Sequence, residues 1–273
     1  MNDLVIFRGG GDVATGSIQK VYRAGFKVLI LEREKPLCIR RYVACAEAMV
    51  TGESKIEDMI IKKVSNLEEI KSCWASDIIP IIADENAEYV KKLKPIAVVD
   101  GILAKKNIGT SKDMAPITIA LGPGFVAGKD VDVVIETNRG HDLARLIFEG
   151  EPEKNTGVPG NIGGYTIQRI LRSPSDGTIK VIKDIGEVVC KGEVVATVAG
   201  KEVKSGLDGM VRGMIADGSE VNKGLKIGDV DPRINKTNAV TISDKARAIG
   251  GGTLEALLIL KRRICKNANW NIK

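Results

Sequence analysis

The sequence predicts an α/β region with a parallel sheet, followed by an all-β module and a C-terminal helix. Three observations carry this. The N-terminus runs from apolar residues through a glycine turn into helical spacing, apolar strand-like runs recur up to about residue 172, and an internal duplication with a period of 32 residues spans Asp176 to Val230. At 273 residues the chain exceeds the usual size of one domain. With 44% apolar, 28% charged and 4% aromatic residues, it has the balance of a folded protein whose core is built mainly from Val, Ile, Leu and Ala.

The first element is the apolar run Leu4 to Phe7, which enters Arg8-Gly9-Gly10-Gly11-Asp12; Val13 to Tyr22 then take up helical spacing. After the stop at Gly25, Lys27 to Glu32 form a second buried strand, which completes a βαβ unit. Gly9-x-Gly11-x-x-Ala14, with Glu32 placed 21 positions after Gly11, fits the dinucleotide fingerprint of a Rossmann-like fold. The glycines let a backbone approach a pyrophosphate, and the free N–H groups of a helix's first turn attract anions. Asp12 opposes this, because an acid there caps the same N–H groups and repels a phosphate. Arg8 either offsets Asp12 or pairs with it. A second reading stays open, in which the glycines serve close packing of helix on strand and Glu32 is a solvated strand end.

Further strands are expected over Ile78–Ile82, Ile96–Asp100, Ile117–Leu121 and Val131–Glu136, with a helix over Glu85–Leu93 and a short one over His141–Phe148 closed by Gly150. The Rossmann-like region is therefore placed at residues 1–172. The module at 173–235 follows from the duplication: Asp176-Gly177 matches Asp208-Gly209, Gly186 matches Gly218, Lys191-Gly192 matches Lys223-Gly224, and Val198 matches Val230. Turn glycines at fixed offsets between short Val/Ile runs mean strands and hairpins, and two such halves bury one shared core. Residues 236–273 read as a helical segment with a basic tail. Ser243 caps it, Ala246–Ile249 start it, and Thr253–Leu260 resume it after the triplet Gly250-Gly251-Gly252.

The formal charge of +6 is concentrated at the end. Lys261, Arg262, Arg263, Lys266 and Lys273 stand there with no acid among them. A nucleic-acid footprint spreads along a face and is interleaved with aromatics, so no nucleic-acid partner is expected. No run approaches a membrane span, and the opening residues read as a strand, not a cleavable signal; a cytoplasmic protein without a membrane partner is the expectation. The five cysteines, at 38, 45, 73, 190 and 265, form no C-x-x-C pair, which predicts reduced thiols and no metal site.

The segment Gly122-Pro123-Gly124-Phe125 through Glu136-Thr137-Asn138-Arg139-Gly140-His141 is dense in functional residue types. Glycines about a fixed proline form a loop whose N–H groups can converge on an anion, and Arg139 can clamp a phosphate or carboxylate. His141, the one histidine in the chain, is either a general acid or base or a residue packed at a helix start. Glu136 is a candidate partner of Arg139. The loop from Asn155 to Gly164, which leads to Arg169 and Arg172, either covers a pocket or connects domains. Arg40 and Arg41 contact a ligand phosphate or line a solvated face. One histidine with no located partner makes no triad, and no catalytic residue is assigned.

The duplicated module resembles the barrel-sandwich hybrid fold of biotinyl and lipoyl carriers. The nearby hairpin lysine, Lys201, lacks the flanks of a modified lysine, so neither biotin nor lipoate is expected. Taken together, RGGGDVATG, the arginine pair, IALGPGFVAGKDVDVVIETNRGH, NTGVPG, the duplication and KIGDVDPR before ISDKARAIGGGTLEA resemble the accessory protein family of the selenium-dependent molybdenum hydroxylase system. The resemblance covers nearly the whole chain. It implies a role in maturing such hydroxylases, with the client enzyme and the selenium-donor machinery as partners, and it implies no reaction. Gly9, Gly10, Gly11, Ala14, Glu32, Arg41, Gly122, Gly124, Arg139 and His141 become candidate ligand contacts. The leading expectation is a molybdenum cofactor in its pterin dinucleotide form, held between Gly9–Ala14 and Gly122–Phe125, with the β module docking the client. Two alternatives are an NAD-dependent oxidoreductase, motivated by the fingerprint and Glu32, and a non-enzymatic scaffold acting through the module and basic tail. If selenium is held on a thiol, Cys38 and Cys45 beside Arg40 and Arg41 are the best placed. A homo-oligomer is left open.

Overall fold

The computed structural model describes residues 3–155, 157 and 160–266. Thr156, Val158 and Pro159 of the NTGVPG loop, and the tail from residue 267 on, lie outside the described residues. The chain opens with β1 (Leu4–Arg8), α1 (Asp12–Arg23) and β2 (Lys27–Glu32). Every residue of β1 is buried, as befits a parallel strand covered on both faces. Val5 and Phe7 point into a core with Ile18, Ile249 and Leu257, while Leu4 and Ile6 face a second core with Ile70 and Val90. This period-two division puts one helical layer on each side of the sheet.

The sheet continues through α2 (Ala48–Thr51), β3 (Glu53–Ile56), β4 (Met59–Lys63), α3 (Leu67–Ala75), β5 (Ile79–Ala83), α4 (Glu88–Leu93), β6 (Ala97–Asp100), β7 (Ile117–Leu121), β8 (Val133–Ile135) and β9 (Leu146–Ile147). Its strand order is β3-β4-β5-β2-β1-β6-β7-β8-β9. The expected parallel sheet is corrected here: this is a nine-stranded mixed sheet, because β3 pairs antiparallel with β4 and β9 antiparallel with β8. The expected helix over His141–Phe148 is also replaced. The chain turns after Gly140, the Ala144 N–H donates to the Glu136 carbonyl at 2.9 Å, and β9 follows.

The second unit contains β10 (Ile170–Arg172), β11 (Gly177–Val181), β12 (Val188–Val189), β13 (Val194–Val198), β14 (Lys201–Lys204), β15 (Gly209–Met214), β16 (Glu220–Val221) and β17 (Lys226–Asp231). They form two four-stranded sheets, β10-β17-β15-β12 and β14-β13-β11-β16. A biotinyl/lipoyl-type barrel-sandwich hybrid is thereby corrected to a pair of antiparallel sheets. The repeat relates one sheet to the other strand by strand, since a shift of 32 residues carries β11 onto β15, β12 onto β16 and β13 onto β17. It also carries β10, which lies inside the span assigned to the α/β region, onto β14. The halves hold each other by exchanged bonds. The Lys191 N–H donates to Asp208 at 2.7 Å, and the Lys223 N–H to Asp176 at 2.8 Å.

The chain closes with α5 (Thr237–Val240) and α6 (Asp244–Lys266). α6 runs without interruption through Gly250-Gly251-Gly252, so the expected break is absent. The triplet instead sets a close helix crossing. A Cβ on Gly250 would strike the Gly16 carbonyl of α1, and one on Gly16 would strike the Ala246 carbonyl of α6. Within the same contact the Ser17 and Thr253 hydroxyls meet at 2.8 Å, buried. Gly251 faces open space.

These two glycines give a direct check by urea denaturation. Gly251→Ala should raise stability by up to ~1 kcal/mol through helix propensity. Gly250→Ala should lower it by about 1–3 kcal/mol, because the crossing cannot accept the methyl group.

Candidate functional site

Two ligand-binding places offer themselves at the carboxyl edge of the large sheet, and the structure treats them differently. At the glycine turn, Gly9, Gly10, Gly11 and Ala14 join β1 to α1 as the fingerprint requires; the space is filled at Gly9 and Gly10 and open at Gly11. The Gly10 N–H donates to a Glu32 carboxylate oxygen at 2.9 Å, and the other oxygen accepts from the Arg33 N–H at 2.9 Å. The Gly10 carbonyl accepts from the Ala46 N–H at 2.9 Å, and the Thr15 hydroxyl accepts from the Cys45 N–H at 3.0 Å. A Cβ on Gly9 would lie 2.9 Å from the Ile102 Cα, and one on Gly101 would lie 2.7 Å from the Ala14 Cβ. Gly9, Gly10 and Gly101 therefore serve backbone packing, and Glu32 satisfies the Gly10 N–H from within the protein. Arg8 is buried in its own network: its guanidinium donates to the Thr110 hydroxyl, which donates to Asp100 at 2.6 Å.

Gly122 and Gly124 are also packing positions. Both have positive φ, at 76° and 111°; a Cβ on Gly122 would come 2.5 Å from the Thr137 hydroxyl oxygen, and one on Gly124 would come 2.6 Å from the Lys106 backbone. The Gly122 N–H is spent on the Ile135 carbonyl at 2.9 Å. Glu136 does not pair with Arg139. Its carboxylate is buried and accepts from the Asn138 and Glu153 N–H groups at 2.6 and 2.7 Å. Arg139 instead makes a two-pronged ion pair with Asp244 at the start of α6, 2.9 Å on each arm.

Arg41 is engaged within the protein. Its guanidinium donates to Asp184 at 2.7 and 2.8 Å, to the Met214 carbonyl at 2.9 Å and to Glu47 at 3.2 Å. It is a strut between the α/β region and the β module. Next to it the Met214 N–H donates to the Ile39 carbonyl at 2.7 Å, and Arg40 donates to the carbonyls of Asn238 and Thr241. Burial pushes Arg40 down to about 10. The contact is possible because Gly213 stands where the other half of the repeat has Val181: a Cβ there would lie 2.8 Å from Ile39.

This docking leaves a cleft of about 870 Å³ between the two units, within the usual range for small-molecule sites. Its described lining includes six cations, Lys105, Arg139, Lys154, Arg172, Lys226 and Lys245, against one acid, Glu153. Arg139 and Pro123 come from the loops after β8 and β7, Arg172 and Lys226 from β10 and β17, and Lys245 from α6. The repeat is broken in charge on this wall, where Leu225-Lys226 replaces the Glu193-Val194 of the other half. Lys105 has φ +63°, and Leu103 close by has +58°, a costly backbone for such residues. Burial, then the Arg139 charge, pushes the Lys245 ammonium below its ordinary value. His141 lies elsewhere, exposed in a separate cleft of about 740 Å³ with Arg145 and Glu255.

Sequence reasoning found Arg139 and passed over Lys105, Lys154, Lys226 and Lys245, because each is an isolated lysine and only the fold gathers them. Among the described residues no group of His, Cys, Asp and Glu is placed to hold a metal ion, and no helix is long and apolar enough to cross a membrane.

No family model matches the chain. It is similar to an uncharacterized protein of Escherichia coli strain K12 named YqeB, 48% identical over 259 residues that cover 95% of this chain and 48% of the relative. The chain thus spans about half the length of the curated relative it matches. Among solved structures, it is similar to an aspartoacylase family protein of Mesorhizobium loti (13% identity, 83% of this chain and 84% of that one, TM-score 0.28). Another is a succinylglutamate desuccinylase of Silicibacter sp. TM1040 (11% identity, 84% of each chain, TM-score 0.25). At these TM-scores the likeness assigns no activity.

The thiols proposed to carry selenium are not activated. Burial, and then the Glu32, Asp12 and Glu47 carboxylates, pushes the Cys38 thiol up, and burial pushes Cys45 up to about 12, the reverse of what a nucleophilic thiolate needs. At pH 8 a thiol of that kind is ionised on the order of 10³-fold less than an ordinary one. Iodoacetamide labelling of the native chain, read by mass spectrometry, should modify the exposed Cys190 first and leave Cys45 untouched until urea unfolds the protein. Early labelling of Cys45 would restore the thiol reading.

Proposed function

We propose that the chain is a non-redox accessory protein that binds a phosphate-bearing ligand in the cleft between its α/β region and its β module. The observation that carries this reading is the charge of the cleft, six cations to one acid around about 870 Å³. Such an excess in a concave site raises the local concentration of anions and binds them through charge-assisted hydrogen bonds. The glycine turn supports this choice over an NAD-dependent oxidoreductase, since Glu32 already holds the Gly10 N–H that a pyrophosphate would use.

The sequence motifs that resemble the accessory family of selenium-dependent molybdenum hydroxylases give the ligand its most specific candidate, the pterin dinucleotide form of the molybdenum cofactor. The residues present fit the phosphates of such a group: Arg172 and Lys226 on one wall, Arg139 and Lys245 on the other. Bound there, the cofactor would be cargo to be handed to a client hydroxylase, with the selenium-donor machinery acting alongside in the cytoplasm. The chain's own part is to bind, orient and shield the phosphates.

Native mass spectrometry on chain isolated from a host that makes the molybdenum cofactor tests the reading. A mass increment matching a pterin dinucleotide is expected, lost on denaturation and absent from the Arg172→Glu/Lys226→Glu variant. Both side chains lie at the cleft surface, so the variant should fold. A persistent increment in that variant, or an increment matching NAD, would contradict the proposal.

A further inference from the structure

Lys245 occupies a position that is hard to explain by stability. It sits in the first turn of α6, where the helix dipole disfavours a cation. It is half-buried and lies near Arg139, a like charge. Among the described residues its ammonium makes neither a hydrogen bond nor an ion pair. The three carboxylates that act on it, Asp12, Glu136 and Asp244, are each engaged elsewhere. Asp12 faces Arg40 at 3.7 Å, Glu136 accepts two backbone N–H groups, and Asp244 holds Arg139 on both arms. Three other cations of the cleft have local partners: Arg139 pairs with Asp244, Arg172 donates to the Gly224 carbonyl at 2.9 Å, and Lys226 is 4.0 Å from Asp229.

Resting on the anion-binding reading above, we propose that Lys245 is the residue that reads the ligand, and that the group it reads is a phosphate carrying more than one charge. The chemistry selects a dianion over a carboxylate. Asp244 neutralises Arg139 and Asp229 lies near Lys226, which leaves Lys105, Lys154, Arg172 and Lys245 against the one lining acid, Glu153, more positive charge than one carboxylate ligand can balance. A phosphate monoester or diphosphate supplies both the charge and several acceptor oxygens for the three N–H donors of an ammonium. The described lining contains no aromatic side chain, so the stacking platform that single-stranded nucleic acid uses is missing. A small phosphate ester matches both the charge of this lining and the donors it offers.

A residue kept for binding at a cost to folding gives a pair of effects of opposite sign. Its folded-state pKa is lowered, so the charged form destabilises the fold at neutral pH, and removing the charge should stabilise the empty protein. Thermal denaturation of the full chain, with inorganic pyrophosphate or inorganic phosphate titrated at constant ionic strength set with chloride, reads both effects. Wild type should be stabilised by pyrophosphate more than by phosphate. Lys245→Met should raise the Tm of the empty chain and weaken pyrophosphate binding by about tenfold or more, while Lys245→Arg keeps binding within a few-fold of wild type. If Lys245→Met binds pyrophosphate as tightly as wild type while Arg172→Glu/Lys226→Glu does not, the assignment of Lys245 is wrong and the cleft stands. If Lys245→Met lowers the Tm of the empty chain, Lys245 is structural and the assignment is overturned. If no anion stabilises wild type, the anion-binding reading itself fails.

Discussion

The cleft depends on one polar contact, the docking of residues Ile39–Arg41 against β15. Arg41 reaches Asp184, Glu47 and the Met214 carbonyl at once, and the Met214 N–H returns to the Ile39 carbonyl. A guanidinium suits this task, because its five donors lie in a rigid plane and satisfy several acceptors without rearrangement. The contact also requires a missing side chain. Gly213 admits Ile39 where the repeat-related Val181 would exclude it. The docking therefore uses the one half of the duplicated module whose surface has been opened to receive it.

The position of α6 depends on a second close approach. Gly16 and Gly250 bring α1 and α6 into backbone contact, and this crossing fixes where α6 begins. Asp244 and Lys245 thereby stand at the mouth of the cleft beside Arg139. The cations of the site come from five separate parts of the chain, the loop after β6, the loop after β8, the loop before β10, the β module and α6. None of them is placed by its immediate neighbours in sequence. The fold assembles the charge, at the edge of the sheet where open α/β proteins commonly bind ligands, although the glycine turn at that edge is closed by the protein itself.

Much of the α/β rhythm was legible in the sequence, because strands buried on both faces read as unbroken apolar runs; β1, β2, β5 and β7 fall within a residue of where those runs lie. The hairpin of β3 and β4 was passed over, since Glu53 to Lys63 is rich in charged residues and Ile56, Met59, Ile60 and Ile61 are too few to stand out as two apolar runs. The edge strands are what make the sheet mixed. The duplication was plain, but the arrangement of its strands into two sheets depends on which half pairs with which, and a repeat period does not specify that. The glycine triplet misled in a physical way: in isolation three glycines weaken a helix, and here helix packing outweighs propensity. At the site, Arg139 announced itself in a dense motif, while Arg41 looked like a phosphate ligand and is an interdomain strut, and Glu32 looked like a ribose acceptor and closes the glycine turn.

The proposed phosphate-bearing ligand would bridge the α/β region and the β module at this cleft. Amide hydrogen exchange of the full chain with and without inorganic pyrophosphate measures this most directly, since protection follows the backbone that a ligand orders. Protection should increase together in residues 137–139, 170–172 and 224–226, on both walls of the cleft. Protection confined to residues 9–15, at the glycine turn, would contradict it.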